Sequence, residues 1–231
     1  MNVRSQSSQS IKQLVEEQFR KWEMRKKEES KKKIPSPVIT VSREPGSNGH
    51  LIAMELARQL DLDLFDVNII NEVAKSAKMS ERVVRTLDEK GRSLLDELVN
   101  TLEKERHLWD HQYLNHLTKV LGTIGKHGRA VILGRGANFI LPSDTTLKVR
   151  IIAPDKVKIK NIASELGISK TEAKLRIMNV KSERKAFMKK YFNVNVADPM
   201  HYDLVLNTAN LSVDAAVDVI KTALHLKMSA K

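Results

Sequence analysis

Short apolar runs alternate with amphipathic segments along most of the chain. Five short runs predict strands, and they span residues 38–41, 62–65, 130–133, 147–153 and 202–206. Three of them, residues 38–41, 130–133 and 147–153, are expected to be buried on both faces. In the segments between the runs, apolar residues recur every three or four positions, which predicts helices. Strands that alternate with helices favour a parallel sheet with right-handed crossovers. The pattern therefore predicts an α/β fold with a five-stranded parallel sheet.

Capping signals and leucine spacing predict where several helices lie. Residues 80–126 carry leucines at helical spacing and form a helix-rich segment. Gly167 is expected to end one helix, and Ser169 with Glu172 to start the next through a capping box. Ser212 is expected to cap the last helix.

Residues 1–34 form a helical leader that differs from the α/β body at residues 35–231. Ser10 followed by Gln13 is a capping-box pattern that opens a helix. The apolar stripe of this helix consists of Ile11, Leu14, Val15, Phe19 and Trp22. Because an isolated amphipathic helix is marginal in water, we expect the leader to pack on the body or on another subunit of a homo-oligomer. Binding to a membrane surface is the alternative. Pro35 and Pro37 mark the boundary between leader and body.

Composition narrows the class of ligand. The chain of 231 residues has a formal net charge of +12, which favours anionic ligands such as nucleotides or nucleic acids. Aromatic residues make up only 4%, which leaves little material for stacking bases, so small phosphate-bearing molecules are favoured over nucleic acid. The absence of cysteine excludes disulfides and thiolate metal sites. No apolar run reaches the roughly 18 residues of a membrane span, and a cytoplasmic location is expected.

The first candidate site is the loop between the first strand and the following helix. Small residues in such a loop let backbone amides approach phosphate oxygens, and the helix N-terminus adds partial positive charge. The candidate phosphate-binding residues are Ser42, Arg43, Gly46, Ser47, Asn48, Gly49 and His50. An ordinary β–α turn with two glycines is the alternative.

This loop departs from the standard Walker pattern, which ends in Gly-Lys-Ser/Thr. The chain reads Gly49-His50-Leu51 there, so the lysine and the metal-binding hydroxyl are missing from their usual places. His50 can donate one hydrogen bond, Ser47 or Ser42 can approach a metal ion, and Arg43 can supply phosphate charge.

The second candidate site follows the third predicted strand. Gly134 and Gly136 bracket Arg135, whose guanidinium can grip a phosphate through two parallel hydrogen bonds. A structural arginine paired with a buried acid is the alternative. A basic cluster after the fourth strand contains Arg176 and Arg184, which are expected to reach over bound phosphates from a mobile lid.

Four stretches in this order and spacing resemble the cytidylate kinase-like family, a branch of the nucleoside monophosphate kinases. They are residues 38–50, 131–137, 182–187 and 198–208. The resemblance covers about residues 38 to 224 and implies a P-loop-type three-layer fold. It also implies a helical insertion that binds the nucleoside monophosphate around residues 66–125, and a helical lid around residues 170–195.

The resemblance assigns roles to the candidate residues. It implies that Gly46 to His50 hold the phosphates of ATP with Mg²⁺, that Arg135 holds the phosphate of the acceptor, and that Arg184 holds the transferring group. Relatives usually read Gly-Ser-Gly-Gly-Arg in the first loop, and established cytidylate kinases read Asp-Gly-Arg-Asp around the residue matching Arg135. Asp66 is expected to contact the acceptor or a metal shell, or to act only as an acid at a helix N-terminus.

Three functions are compatible with the sequence. The first is Mg-ATP-dependent phosphoryl transfer to CMP, dCMP or a similar monophosphate, which needs positioning and charge neutralisation and no general base. The second is a nucleotide-binding regulatory protein of the same fold with weak or no catalysis. The third is a nucleic-acid-binding protein. His107 and His111 can share a helix face, but no carboxylate constellation accompanies them, so no metal site is predicted.

Overall fold

The computed structural model describes residues 10–28, 37–106 and 111–229. Its helices, in chain order, are α1 Ile11–Glu28, α2 Gly49–Gln59, α3 Val67–Ala74, α4 Ala77–Arg85, α5 Glu89–Arg106, α6 His111–His127, α7 Ala137–Ile140, α8 Asp155–Leu166, α9 Lys170–Phe192 and α10 Val213–Ser229. Its strands are β1 Val38–Arg43, β2 Asp63–Phe65, β3 Ala130–Leu133, β4 Thr146–Ile152 and β5 Leu204–Asn207. A short 3-10 helix spans Pro199–His201. Among the described helices, none is long and apolar enough to cross a membrane.

The chain divides into two compact units. One consists of Met1–Ser36 and Asp66–Gly128, and the other of Pro37–Phe65 and Arg129–Lys231. We call the first the helical unit and the second the sheet unit. The helical unit contains α1 and α3 to α6, whereas the sheet unit contains all five strands.

The sheet unit is built on a five-stranded parallel sheet in the order β2-β3-β1-β4-β5, which confirms the predicted α/β class. One sheet face is made by alternate residues such as Ile39, Val131 and Val149, which are fully buried. The apolar stripes of α2 and α10 pack on this face in a single core. Because β1 lies between β3 and β4, the loops that follow these three strands emerge side by side.

The leader helix belongs to the helical unit. Ser10 and Gln13 form the predicted reciprocal cap, with hydrogen bonds of 2.8 and 3.3 Å. Phe19 and Trp22 are buried, and the Trp22 ring stacks on His127 at 4.5 Å between centroids. The leader therefore packs on helices of its own chain. Residues 29–36, which include Pro35, lie outside the described residues.

Candidate functional site

The loop after β1 has the backbone conformation of an anion cradle. Gly46 and Asn48 are left-handed, with φ angles of 78° and 59°, and α2 begins directly afterwards at Gly49. Asparagine is one of the few side chains that tolerate this conformation. No side chain caps the N-terminus of α2, so its first amides can bind an anion.

Neighbouring side chains hold this loop in place. The buried Ser47 hydroxyl donates to the Glu44 carbonyl oxygen at 2.8 Å, and Thr208 Oγ1 donates to the Ser47 carbonyl oxygen at 3.0 Å. Asn161 Nδ2, on α8, donates to the Gly46 carbonyl oxygen at 2.8 Å. These bonds engage the carbonyl oxygens of Glu44, Gly46 and Ser47, which holds the loop in one conformation before a ligand arrives.

A buried charge network lies behind the loop. Lys158 is only 4% exposed, and its Nζ lies 2.8 Å from both Glu44 Oε2 and Asp155 Oδ1. Burial lowers the pKa of Lys158, but the hydrogen bonds to the two carboxylates outweigh burial and raise it. Arg150, on β4, is also buried, and its Nη1 donates to Ser42 Oγ at 3.0 Å.

The sequence did not single out Glu44, Arg150, Lys158 or Asn161. Arg150 carried a usable signal, because it is a charged residue inside an otherwise apolar strand and such residues need a partner. Lys158 and Asn161 are three residues apart in the helix that follows, a spacing that places both on one helix face.

The loop after β3 contains three consecutive left-handed residues. Gly134, Arg135 and Gly136 have φ angles of 87°, 52° and 67°. A left-handed arginine is strained, and such strain clusters at functional sites. The guanidinium of Arg135 lies over the Phe187 ring at 4.8 Å, and its Nε atom is buried without a hydrogen-bond partner. None of the residues that the structure describes pairs with Arg135 as a buried acid would.

Arg184, on α9, lies close to both Arg43 and Arg135. The helix buries Ile177, Met188 and Phe192, and this packing brings Arg184 to the sheet edge. Its Nη1 donates to the Arg43 carbonyl oxygen at 2.8 Å. Burial, followed by the nearby charge of Arg135, lowers the pKa of Arg184. Arginines crowded together in this way are stabilised by an anion, so the edge formed by Arg43, Arg135 and Arg184 suits phosphate.

Three other predicted site residues are His50, Arg176 and Asp66. His50 is exposed in the first turn of α2. Arg176 is exposed on α9, eight residues or about 12 Å of helix from Arg184. Asp66 belongs to the helical unit, where its Oδ1 caps α3 by accepting from the amides of Asn68 and Ile69 at 2.9 and 3.0 Å. The pair His107 and His111 lies outside the residues whose side chains are described.

The donor set fits phosphate groups better than it fits a metal ion. Backbone amides and arginines are the groups that bind phosphate oxygens. Within residues 10–28, 37–106 and 111–229, no group of three or more His, Asp or Glu side chains could hold a metal ion. The hydroxyl groups of Ser42 and Ser47 are both engaged in hydrogen bonds within the protein. The residues that the structure describes do not form a magnesium site of their own, and we assign no reaction step to one.

Comparisons with known proteins show which proteins this chain is similar to. A sequence model of the cytidylate kinase-like family matches residues 38–210. A cytidylate kinase of Methanopyrus kandleri is 28% identical over 200 residues, which cover 82% of this chain and 93% of the relative. A cytidylate kinase of Ignicoccus hospitalis is 26% identical over 187 residues, covering 81% and 98%. The crystal structure of an uncharacterized protein from Eubacterium ventriosum shares the fold, with a TM-score of 0.58, 22% identity and coverage of 82% and 98%.

Proposed function

We propose that this chain, which belongs to the cytidylate kinase-like family, transfers the terminal phosphoryl group of ATP to CMP, dCMP or a similar nucleoside monophosphate. The observation that carries the proposal is the convergence of Arg43, Arg135 and Arg184 beside a preorganised phosphate loop. We expect the enzyme to act in the cytoplasm, where both nucleotides occur. Mg²⁺ would enter the site bound to ATP.

In this proposal the protein contributes positioning and charge. The amides of residues 46–50 would hold the ATP phosphates, and Arg135 would hold the phosphate of the acceptor. Arg184 would neutralise the charge that spreads over the transferring group. A phosphoryl transfer of this type needs little covalent help, so no general base is required. The partial burial of Arg184 strengthens its effect, because electrostatic interactions are stronger where water is partly excluded.

A coupled assay of diphosphate formation with ATP and each nucleoside monophosphate tests the proposal directly. We expect turnover with CMP, dCMP or a close analogue. The purified protein should also melt at a higher temperature when ATP is present, because a ligand that binds only the folded state stabilises it. If no monophosphate is phosphorylated, the catalytic proposal fails.

Two substitutions test the assigned roles. Arg184→Ala should lower kcat by about 10³-fold, the lower end of what an arginine on a transferring phosphate contributes. Arg135→Ala should raise the acceptor's KM about 10- to 100-fold, since a charged hydrogen bond is lost. Lys185→Ala is the matched control, because it removes the same charge from an exposed position next to Arg184. An equal effect of Lys185→Ala would show that only the general field matters.

The second candidate, a nucleotide-binding regulatory protein, is favoured by one observation. No lysine or hydroxyl side chain stands at the start of α2, which reads Gly49-His50-Leu51. If ATP raises the melting temperature but no diphosphate appears with any acceptor, this alternative replaces the first. If neither occurs, and the protein binds DNA or RNA with a steep salt dependence, the nucleic-acid hypothesis gains support.

A further inference from the structure

We propose that Arg43 supplies the phosphate-binding cation that the Walker pattern places on a lysine, and that residue 49 is glycine because Arg43 fills its side-chain space. The inference rests on the proposed function, since it assigns a residue within the same phosphate site. Three observations carry it: the backbone conformation of the loop, the contact between Arg43 and Gly49, and the position of the guanidinium.

The backbone decides which residue stands in the lysine's place. In the Walker pattern the lysine follows the last glycine of the loop and precedes the hydroxyl residue in the helix. Here the last left-handed residue is Asn48, and α2 begins at Gly49. Asn48 therefore stands where that glycine is expected, so Gly49 takes the lysine position and His50 the hydroxyl position. The correspondence read from the letters alone, with His50 at the lysine, is displaced by one residue.

Arg43 and a side chain at position 49 exclude each other. A Cβ atom added at Gly49 would lie 2.5 Å from Arg43 Cβ, closer than two carbon atoms can approach. It would also be tight against Arg43 Cγ at 3.1 Å and Ile151 Cβ at 3.3 Å. Arg43 itself stands five residues before Asn48, where the pattern has its first glycine. The two departures are complementary: position 43 gains a cation, and position 49 loses one.

The guanidinium of Arg43 reaches the arginine loop. Its Nη1 contacts Gly134, and its Cζ lies 3.5 Å from where a Cβ at Gly134 would be. Arg184 donates to the carbonyl oxygen of the same Arg43. The side chain thus runs from the start of α2 to the loop that carries Arg135, between the proposed sites for ATP and the acceptor. A planar guanidinium there can hold two phosphate oxygens at once.

Exchange of the two positions tests the inference. Arg43→Met removes the charge while keeping much of the stem, and Arg43→Gly combined with Gly49→Lys recreates the standard arrangement. We expect Arg43→Met to raise the Kd for ATP, measured by titration calorimetry, about 10- to 100-fold. The double variant should bind ATP nearly as well as the wild type, and Arg43→Lys should have a Kd between those of the wild type and Arg43→Met. Gly49→Lys alone should lose binding, because Arg43 still occupies the space.

Controls separate the possible failures. Arg58→Met removes an exposed cation from α2 and should leave the Kd unchanged. Circular dichroism melts establish whether each variant folds. If Arg43→Met does not fold, ATP binding by the double variant tests the inference. The inference is contradicted if a folded Arg43→Met variant binds ATP as the wild type does. It is also contradicted if the folded double variant binds no ATP. Wild-type protein that binds no nucleotide would instead refute the proposed function itself.

Discussion

Replacing Gly46 by alanine should destabilise the protein through two separate effects. The first is conformational: an alanine held at a φ of 78° costs about 1 kcal/mol relative to glycine. The second is steric. The added Cβ would lie 2.6 Å from the Lys158 carbonyl oxygen and 2.9 Å from its Cα, and both are backbone atoms that cannot turn aside. Such overpacking costs about 1–3 kcal/mol, so the total loss should be about 2–4 kcal/mol.

Gly167 provides a matched control, because its φ is 65° and an added Cβ would meet nothing within 4 Å. Gly167→Ala should therefore cost only the conformational part, about 1 kcal/mol. Both changes restrict the unfolded chain equally, so that effect cancels in the difference. Urea unfolding followed by circular dichroism measures both losses of free energy. We expect Gly46→Ala to lose about 2 kcal/mol more, and equal losses would refute the steric argument.

Substitutions at three further positions probe contacts outside the arginine cluster. Lys158→Met should make stability depend less on pH in the alkaline range. Because the pKa of Lys158 is raised in the folded protein, its ion pairs stabilise the fold fully below the ordinary pKa of 10.5, and this stabilisation is lost as the pH rises through the raised value. Thermal melts at increasing pH would measure the difference between the variant and the wild type. Glu16→Ala removes an exposed pair with Arg82 but keeps the Arg82 guanidinium over the Phe19 ring, and it should move the melting temperature by less than about 2 °C. A larger drop would mean that the pair holds the leader. Asp66→Asn should keep the cap of α3, whereas Asp66→Ala should cost about 1 kcal/mol in urea unfolding. If the asparagine variant is stable but its acceptor KM rises, Asp66 also contacts the acceptor.

The strands and the helix caps could be predicted because their causes are local. The run Ala130–Leu133 is wholly apolar, and the structure buries all of it between neighbouring strands. The capping box at Ser169 and Glu172 also formed as predicted, since its partners are three residues apart. Strand ends were less accurate: β4 begins at Thr146 and β5 at Leu204, where the pattern had placed them at residues 147 and 202.

The support of the phosphate loop could not be predicted from the same pattern. Lys158 and Glu44 are 114 residues apart, and Asn161 and Gly46 are 115 apart. Lys158 occurs in a helix with many lysines, so its sequence context is that of a solvent-exposed residue. It becomes buried only when α8 packs against the loop, and that packing depends on the order of the strands.

The meaning of Asn48 also depended on structure. In the sequence, asparagine stands where relatives have a glycine. Its φ angle of 59° shows that the position still has the left-handed conformation that glycine would provide. The same angle fixes the start of α2 and hence the position that matches the lysine. A comparison of letters contains no dihedral angles, so it could not make this one-residue correction.

The helix α8 contacts the phosphate loop near its N-terminus and connects to α9 at its C-terminus. Its first turns anchor the phosphate loop through Lys158 and Asn161, and its last residue joins α9 across Gly167, where no atom would oppose a side chain. A swing of α9 about this joint would move Arg184 without loosening the anchor. We expect hydrogen exchange to be slow in the loop and faster at the start of α9. The phosphate loop is thus held by residues of α8 and Arg184 is positioned by α9, so a substitution can change one of them while the other is kept.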